Sequence, residues 1–149
     1  MLYSTATHLF VLPIGLLSLF LTTPAHAIII GEYFCQNIYR LNTEGYWTES
    51  EGSFLITISG LIDDPIFGAS DGAISSYRYQ STSEKFGDLT LEGGEVSNTG
   101  FSWVYTFRGL DNTLYDIEDL WDGDTYLKVY DPFGTNILDA TCVGLEEAQ

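Results

Sequence analysis

Short runs in which apolar and polar residues alternate, separated by glycine-containing turns, are the feature that most constrains the fold of this chain. Residues 100–108 give the clearest case, with aromatic side chains at every second position: Phe101, Trp103, Tyr105 and Phe107. Successive side chains of a strand point to opposite faces, so a spacing of two predicts a strand with one buried face. Similar alternation recurs over residues 53–62, 73–81 and 125–130. The sequence therefore predicts an all-β chain.

The number and spacing of these runs indicate the architecture. About seven or eight short strands, with turns roughly every eight to twelve residues, fit an antiparallel β-sandwich or jelly-roll-like domain best. A small closed β-barrel is the alternative. One segment has a different pattern, because Asn112 is suited to cap a helix and Leu114, Ile117 and Trp121 recur at helical spacing. We therefore expect one short helix near 112–121.

The N-terminus predicts export. Residues 9–21 form an unbroken apolar run of 13 residues, which is short for a bilayer-spanning helix of about 20 residues. Small residues follow at Ala25 and Ala27, as at the cleavage site of a signal peptide. We expect residues 1–27 to be a cleaved signal peptide, residues 28–149 to be a single β domain, and the mature protein to be secreted or periplasmic. An uncleaved membrane anchor is the alternative.

The chain has two cysteines, Cys35 and Cys142, near the two ends of the predicted mature protein. In an oxidising compartment an even number of cysteines predicts a disulfide. This bond would join the first strand to the last, which requires the two ends of the sheet to meet. Two free thiols are the alternative.

Charge and histidine content exclude several functions. Five Lys and Arg residues against 21 Asp and Glu residues give a formal net charge of −16, which argues against binding to nucleic acid or to an anionic membrane surface. Both histidines, His8 and His26, lie in the predicted signal peptide. The mature chain therefore cannot form a Ser-His-Asp triad or a histidine-based zinc site.

An acidic segment is the candidate metal site. Asp119, Asp122 and Asp124 lie close together around Gly123. Calcium takes six to eight oxygen ligands and accepts irregular loops, and closely spaced carboxylates repel one another unless a cation screens them. These residues are therefore candidate Ca²⁺ ligands, with a solvated acidic surface as the alternative interpretation.

Aromatic residues outside the predicted core are candidate glycan contacts. If Leu127 and Val129 point inward, Tyr126 and Tyr130 point outward, while Trp47 and Trp121 lie among polar neighbours. Exposed aromatic rings beside carboxylates could stack on sugar rings and bind their hydroxyl groups. Ordinary cross-strand pairing is the alternative interpretation of these side chains.

No catalytic motif stands out. Glycoside hydrolysis needs only two carboxylates, and a chain with 21 acidic residues meets that requirement without specificity. The sequence therefore predicts an exported, non-catalytic β-domain with a binding or structural role, with Ca²⁺ as its expected ion. The alternatives are a carbohydrate-binding module with a polysaccharide as partner, and a small carboxylate-dependent glycoside hydrolase.

Overall fold

The computed structural model describes residues 27–62 and 74–145, and these residues form antiparallel strands without a helix. The strands are β1 (Ala27–Leu41), β2 (Trp47–Ser50), β3 (Phe54–Ile62), β4 (Ile74–Thr82), β5 (Leu89–Asn98), β6 (Ser102–Arg108), β7 (Leu114–Leu120), β8 (Thr125–Tyr130) and β9 (Asn136–Gly144). The all-β prediction is confirmed. The predicted signal peptide lies outside the described residues except for Ala27, so its cleavage stays a prediction. In the same part of the chain, no helix is long and apolar enough to cross a membrane.

The strands close into a barrel. Strands β3 to β8 each pair with the next strand in sequence, and β1 pairs with both β3 and β9. This closure gives an eight-stranded barrel of β1 and β3–β9, to which β2 adds an extra strand paired with β1. The sandwich, which the sequence favoured first, is therefore not the arrangement formed; the alternative of a closed barrel is. The physical reason is that β1 pairs with β3 along one edge and with β9 along the other, so that the first and last strands of the barrel meet and every barrel edge is paired.

The inward side chains of the strands fill the barrel. They alternate with outward ones, as the pleat of a strand requires. In β8, for example, Leu127 and Val129 are buried while Tyr126 and Tyr130 are only partly covered, as the sequence predicted. The core contains these side chains: Tyr33, Cys35, Ile38, Phe54, Ile56, Ile58, Tyr79, Leu91, Tyr105, Phe107, Ile117, Leu127, Val129, Leu138, Ala140 and Cys142.

The predicted disulfide is present. Cys35 of β1 is bonded to Cys142 of β9, and the two residues stand directly opposite each other in the pairing of those strands. Both are buried. The bond therefore lies across the strand pair that closes the barrel, which confirms that the two ends of the sheet meet.

The predicted helix near 112–121 is wrong. Residues 114–120 form strand β7, which pairs along its full length with β6 and over residues 114–119 with β8. Asn112 takes a left-handed φ of 66° in the β6–β7 turn and does not cap a helix. The helical spacing of Leu114 and Ile117 is a coincidence, because the strand register places these two side chains on opposite faces of the sheet.

Candidate functional site

A cavity of about 450 Å³ opens at one end of the barrel. This end, called here the β8–β9 end, carries the turns at residues 109–113 and 131–135 and the loop at residues 83–88. The volume falls within the range of about 300–1,000 Å³ typical of small-molecule sites. Its walls are formed by Arg40, Leu41, Phe54, Tyr79, Ser81, Phe86, Gly87, Leu89, Asp111, Thr113, Tyr115, Leu127, Val129, Ile137 and Leu138.

The cavity extends into the barrel because small side chains occupy inward positions near its mouth. Ser81 follows Tyr79 on the inner face of β4, and it is buried although it has only a hydroxymethyl group. Thr113 is the other small buried residue of the lining. Tyr79 and Leu127 are the most buried residues of the lining, each 1% exposed. The result is a barrel that is packed at its middle and open at the β8–β9 end.

Aromatic rings form one wall of the cavity. The rings of Phe54 and Phe86 stack with their centroids 4.9 Å apart, which brings the β4–β5 loop against the start of β3. Leu89 extends the same wall, since it pairs with Ser81 on the inner face of β5. These surfaces are apolar, as expected of a site whose affinity comes mainly from apolar burial.

Two tyrosine hydroxyls supply polar groups within this apolar lining. Burial raises the pKa of Tyr79 to about 12, partly offset by a hydrogen bond with the Ser81 side chain. Burial also raises the pKa of Tyr115, and the nearby Asp111 carboxylate adds to that effect. Both hydroxyls therefore stay protonated at neutral pH and can donate or accept a hydrogen bond.

The rim of the cavity carries charges of both signs. The Arg40 guanidinium lies 5.5 Å from the centroid of the Phe86 ring and the Lys85 ammonium lies 5.6 Å from it. Lys85 lies outside the cavity lining, in an adjoining depression that it shares with Arg40, Glu49 and Glu51, and it donates a hydrogen bond to Ser50 Oγ at 3.3 Å. Asp111 lies in the β6–β7 turn, where Oδ1 accepts the Thr113 backbone N–H at 3.1 Å, and this hydrogen bond lowers the pKa of the Asp111 carboxyl.

The three predicted calcium ligands lie at the opposite end, which carries the turn at residues 121–124 and is called here the β7–β8 end. Asp119 accepts hydrogen bonds from the Thr125 hydroxyl at 3.1 Å and from the Tyr33 hydroxyl at 3.3 Å. Asp122 Oδ1 accepts the backbone N–H of Asp124 at 3.0 Å within the turn. Within residues 27–62 and 74–145, no three His, Cys, Asp or Glu side chains are grouped so that they could hold a metal ion. The calcium site stays a prediction from the sequence.

The four predicted glycan contacts lie in three different places. Trp47 is on β2 beside the end of β1, and Trp121 is in the turn at the β7–β8 end. Tyr126 and Tyr130 lie on the outer face of β8, where Lys128 stands between them, 6.0 Å from the centre of the Tyr126 ring. Tyr126 also borders a second depression together with Tyr39. The structure therefore does not bring the two tryptophans to one site, and glycan binding stays a prediction.

One carboxylate on the outer face has an unusual environment. Asp116 of β7 is partly buried, and its Oδ1 has no hydrogen-bond partner among the described residues. Burial is the largest cause that raises the pKa of Asp116, and the neighbouring Glu118 carboxylate adds to it. The charged form of this side chain is therefore disfavoured in the folded protein.

Asp116→Asn is expected to raise the free energy of unfolding at pH 7 by less than about 1 kcal/mol, because an amide avoids the cost of burying a charge while solvent partly screens this half-buried side chain. The pKa of Asp116 in the folded protein lies above the ordinary value of 3.8. The charged carboxylate therefore destabilises the fold at pH values above the folded pKa, and this effect disappears below the unfolded pKa, where the group is protonated in both states. Thermal unfolding of both proteins at pH 7 and pH 3 measures this difference. Glu84→Gln, at an exposed position, controls for the loss of one negative charge; an equal gain there would contradict the role of burial.

The hydrolase alternative needs two carboxylates roughly 5–10 Å apart. The lining of the cavity includes one carboxylate, Asp111, with Arg40 as the charged residue of opposite sign. Nothing in this arrangement assigns an acid or a base to a reaction. Whether the chain is an enzyme stays a prediction from the sequence.

The residues of the cavity were missed in the sequence. Tyr79 and Tyr115 alternate like ordinary core residues, and Phe86 lies in a loop between strands. A local signal does exist in the small residue Ser81, which occupies an inward position where neighbouring strands place large side chains. A serine at this position indicates a cavity only when the strands that neighbour Ser81 in the barrel are known.

Comparisons of the chain with protein-family models, with curated proteins and with solved structures find no match.

Proposed function

We propose that this chain is an exported, non-catalytic binding protein that takes a small, mainly apolar molecule into the cavity at the β8–β9 end. The observation that carries this proposal is the cavity itself: about 450 Å³, with a mainly apolar lining that also includes Tyr79 and Tyr115. Eight strands make a barrel just wide enough to be filled by side chains or to hold one small ligand. The small side chain of Ser81 and the open mouth of the cavity favour a barrel that holds a ligand.

Physical chemistry supports a ligand with an apolar chain or ring. Each methylene group moved from water into an apolar site gains up to about 0.8 kcal/mol. A site of this size holds a molecule of moderate length, and the hydroxyl groups in its lining orient a polar end. The disulfide between Cys35 and Cys142 supports export, because such bonds persist in oxidising compartments.

Filling the cavity tests the proposal. Leu89→Trp places an indole on the inner face of β5, where Leu89 lines the cavity. We expect the dissociation constant of the neutral fluorescent probe N-phenyl-1-naphthylamine to rise by about tenfold or more, since the larger side chain occupies the volume that the probe needs. Fluorescence titration of both proteins measures the change.

The matched control is Leu55→Trp. Leu55 lies on β3 with its side chain 45% exposed on the outer face, so the same substitution leaves the cavity unchanged. Equal loss of probe affinity in the two variants would indicate binding elsewhere. Failure of the unmodified protein to bind the probe would contradict the proposed function.

A further inference from the structure

Positive charge is scarce in this protein, and its distribution is uneven. The chain has five Lys and Arg residues and a formal net charge of −16. Two of the five, Arg40 and Lys85, approach the Phe86 ring. Arg40 and Phe86 line the cavity, and Lys85 lines an adjoining surface depression that it shares with Arg40. The two ion pairs formed between described residues join Arg78 to Glu92 and Lys128 to Glu118. Arg40 and Lys85 therefore belong to neither of these two ion pairs.

A bulge in β1 directs Arg40 to the cavity. Cys35 points inward, so strict alternation would place residues 37 and 39 inward and Arg40 outward. Asn37 instead takes a left-handed φ of 53°, and the pairing of β1 with β9 shifts register between Gln36 and Tyr39. After the shift Ile38 is fully buried, and Arg40 pairs with the buried Leu138. Bulges of this kind re-aim side chains next to binding sites.

We infer that the ligand is an anionic amphiphile, whose apolar chain enters the cavity and whose carboxylate or similar head group binds Arg40 and Lys85. This inference rests on the proposed function. The guanidinium offers a planar set of N–H donors that matches a carboxylate. The Lys85 ammonium adds a second positive charge beside the same Phe86 ring.

The opposite charge on the rim fixes the position of the head group. Asp111 belongs to the β6–β7 turn, and its carboxylate is held in the charged form by the Thr113 N–H. It repels an anion and so favours the Arg40 side of the mouth. Glu49 and Glu51 line the depression beside Lys85, so Arg40, which belongs to the cavity lining, is the principal contact for the head group. A cationic head group would be attracted to Asp111 and repelled by the two cations. A ligand with a cationic head group therefore serves as the third ligand of the experiment.

Three ligands with the same ten-carbon chain test the inference by displacement of N-phenyl-1-naphthylamine: decanoate, decan-1-ol and decyltrimethylammonium. We expect decanoate to bind about tenfold more tightly than decan-1-ol, as for a charge-assisted hydrogen bond, and the ammonium compound to bind most weakly. In Arg40→Gln/Lys85→Gln, the ratio of decanoate affinity to decan-1-ol affinity should fall to about one. Circular dichroism and continued binding of decan-1-ol show that the variant is folded.

The control is Arg78→Gln/Lys128→Gln, which removes the same total charge from the outer face, where both residues are paired with carboxylates. Its preference for decanoate should remain. If decanoate binds the unmodified protein no better than decan-1-ol, the inference about the anion is overturned, although the proposed function stands because the alcohol binds. If the probe and all three ligands fail to bind, both are overturned.

Discussion

Cys35→Ala/Cys142→Ala is expected to lower the free energy of unfolding by about 4–5 kcal/mol. The bond joins residues 107 positions apart, and the chain-entropy model gives about that value for a loop of this length. A loss of this size corresponds to a fall in Tm of roughly 15 °C for a domain of this length. Thermal and urea unfolding of the variant and of the oxidised protein measure the difference.

The location of the bond makes a second outcome informative. Both cysteines are almost fully buried in the barrel, so a reductant reaches the sulfur atoms only when the barrel opens. Dithiothreitol should therefore leave the native protein oxidised and reduce it rapidly in urea. A variant as stable as the unmodified protein, or rapid reduction in the folded state, would contradict the structural role of the bond.

The elements that local pattern predicts best are those with a strict period of two and clear turns. Strand β8 has the predicted bounds, Thr125–Tyr130, because Leu127 and Val129 alternate with polar or partly exposed neighbours between two acidic turns. The turn after it also follows from local sequence, because Gly134 accepts a positive φ. Gly134 takes a left-handed φ of 87°, and its N–H is bonded to the Asp131 carbonyl. Here local sequence and tertiary structure favour the same conformation.

Strand β7 shows why the rest of the fold was harder to predict. Its inward positions hold Tyr115, Ile117 and Asp119, so a carboxylate stands where a strand pattern expects an apolar residue. The inward position tolerates the Asp119 carboxylate because the hydroxyls of Thr125 and Tyr33 donate hydrogen bonds to it. Those partners come from β8 and β1, and no local pattern reveals them.

The aromatic stripe of β6 was predicted only in part. Tyr105 and Phe107 are buried, as the alternation indicates, but Trp103 and Phe101 are 42% and 66% exposed. The register places Trp103 on the same face of the sheet as Tyr105. Trp103 and Phe101 are nevertheless exposed, because they lie at the end of the barrel, beyond the packed core. Where a core ends depends on the lengths of the other strands, which alternation within β6 cannot indicate.

The cavity depends on information that is distributed over the whole chain. Arg40 faces it because of a bulge at Asn37, and Ser81 leaves it open because the strands around β4 do not fill the space. The closure of the barrel through β1 and β9 is likewise a long-range event, for which the cysteine pair was the one local indication. Fold class was therefore predictable from the sequence, while the candidate site was not.

The contact between Phe107 and Gly94 gives the second large effect. The Phe107 side chain is 0% exposed, and a Cβ atom built on Gly94 of β5 would overlap its ring. Phe107→Ala is expected to lower the free energy of unfolding by about 3–5 kcal/mol, the usual cost of removing a buried ring. Gly94→Val is expected to lower it by about 1–3 kcal/mol through overpacking. Urea unfolding measures both.

The double variant Gly94→Val/Phe107→Ala separates this contact from a general weakening of the barrel. Because the alanine vacates the space that the valine needs, the free energy of unfolding lost in the double variant should be about 1–2 kcal/mol smaller than the sum of the two single losses. Gly144→Val is the control for valine in a strand, since nothing lies within 4 Å of a Cβ built on Gly144, and it should change stability by no more than about 0.5 kcal/mol. Strict additivity of the two substitutions would contradict the packing of the Phe107 ring on Gly94.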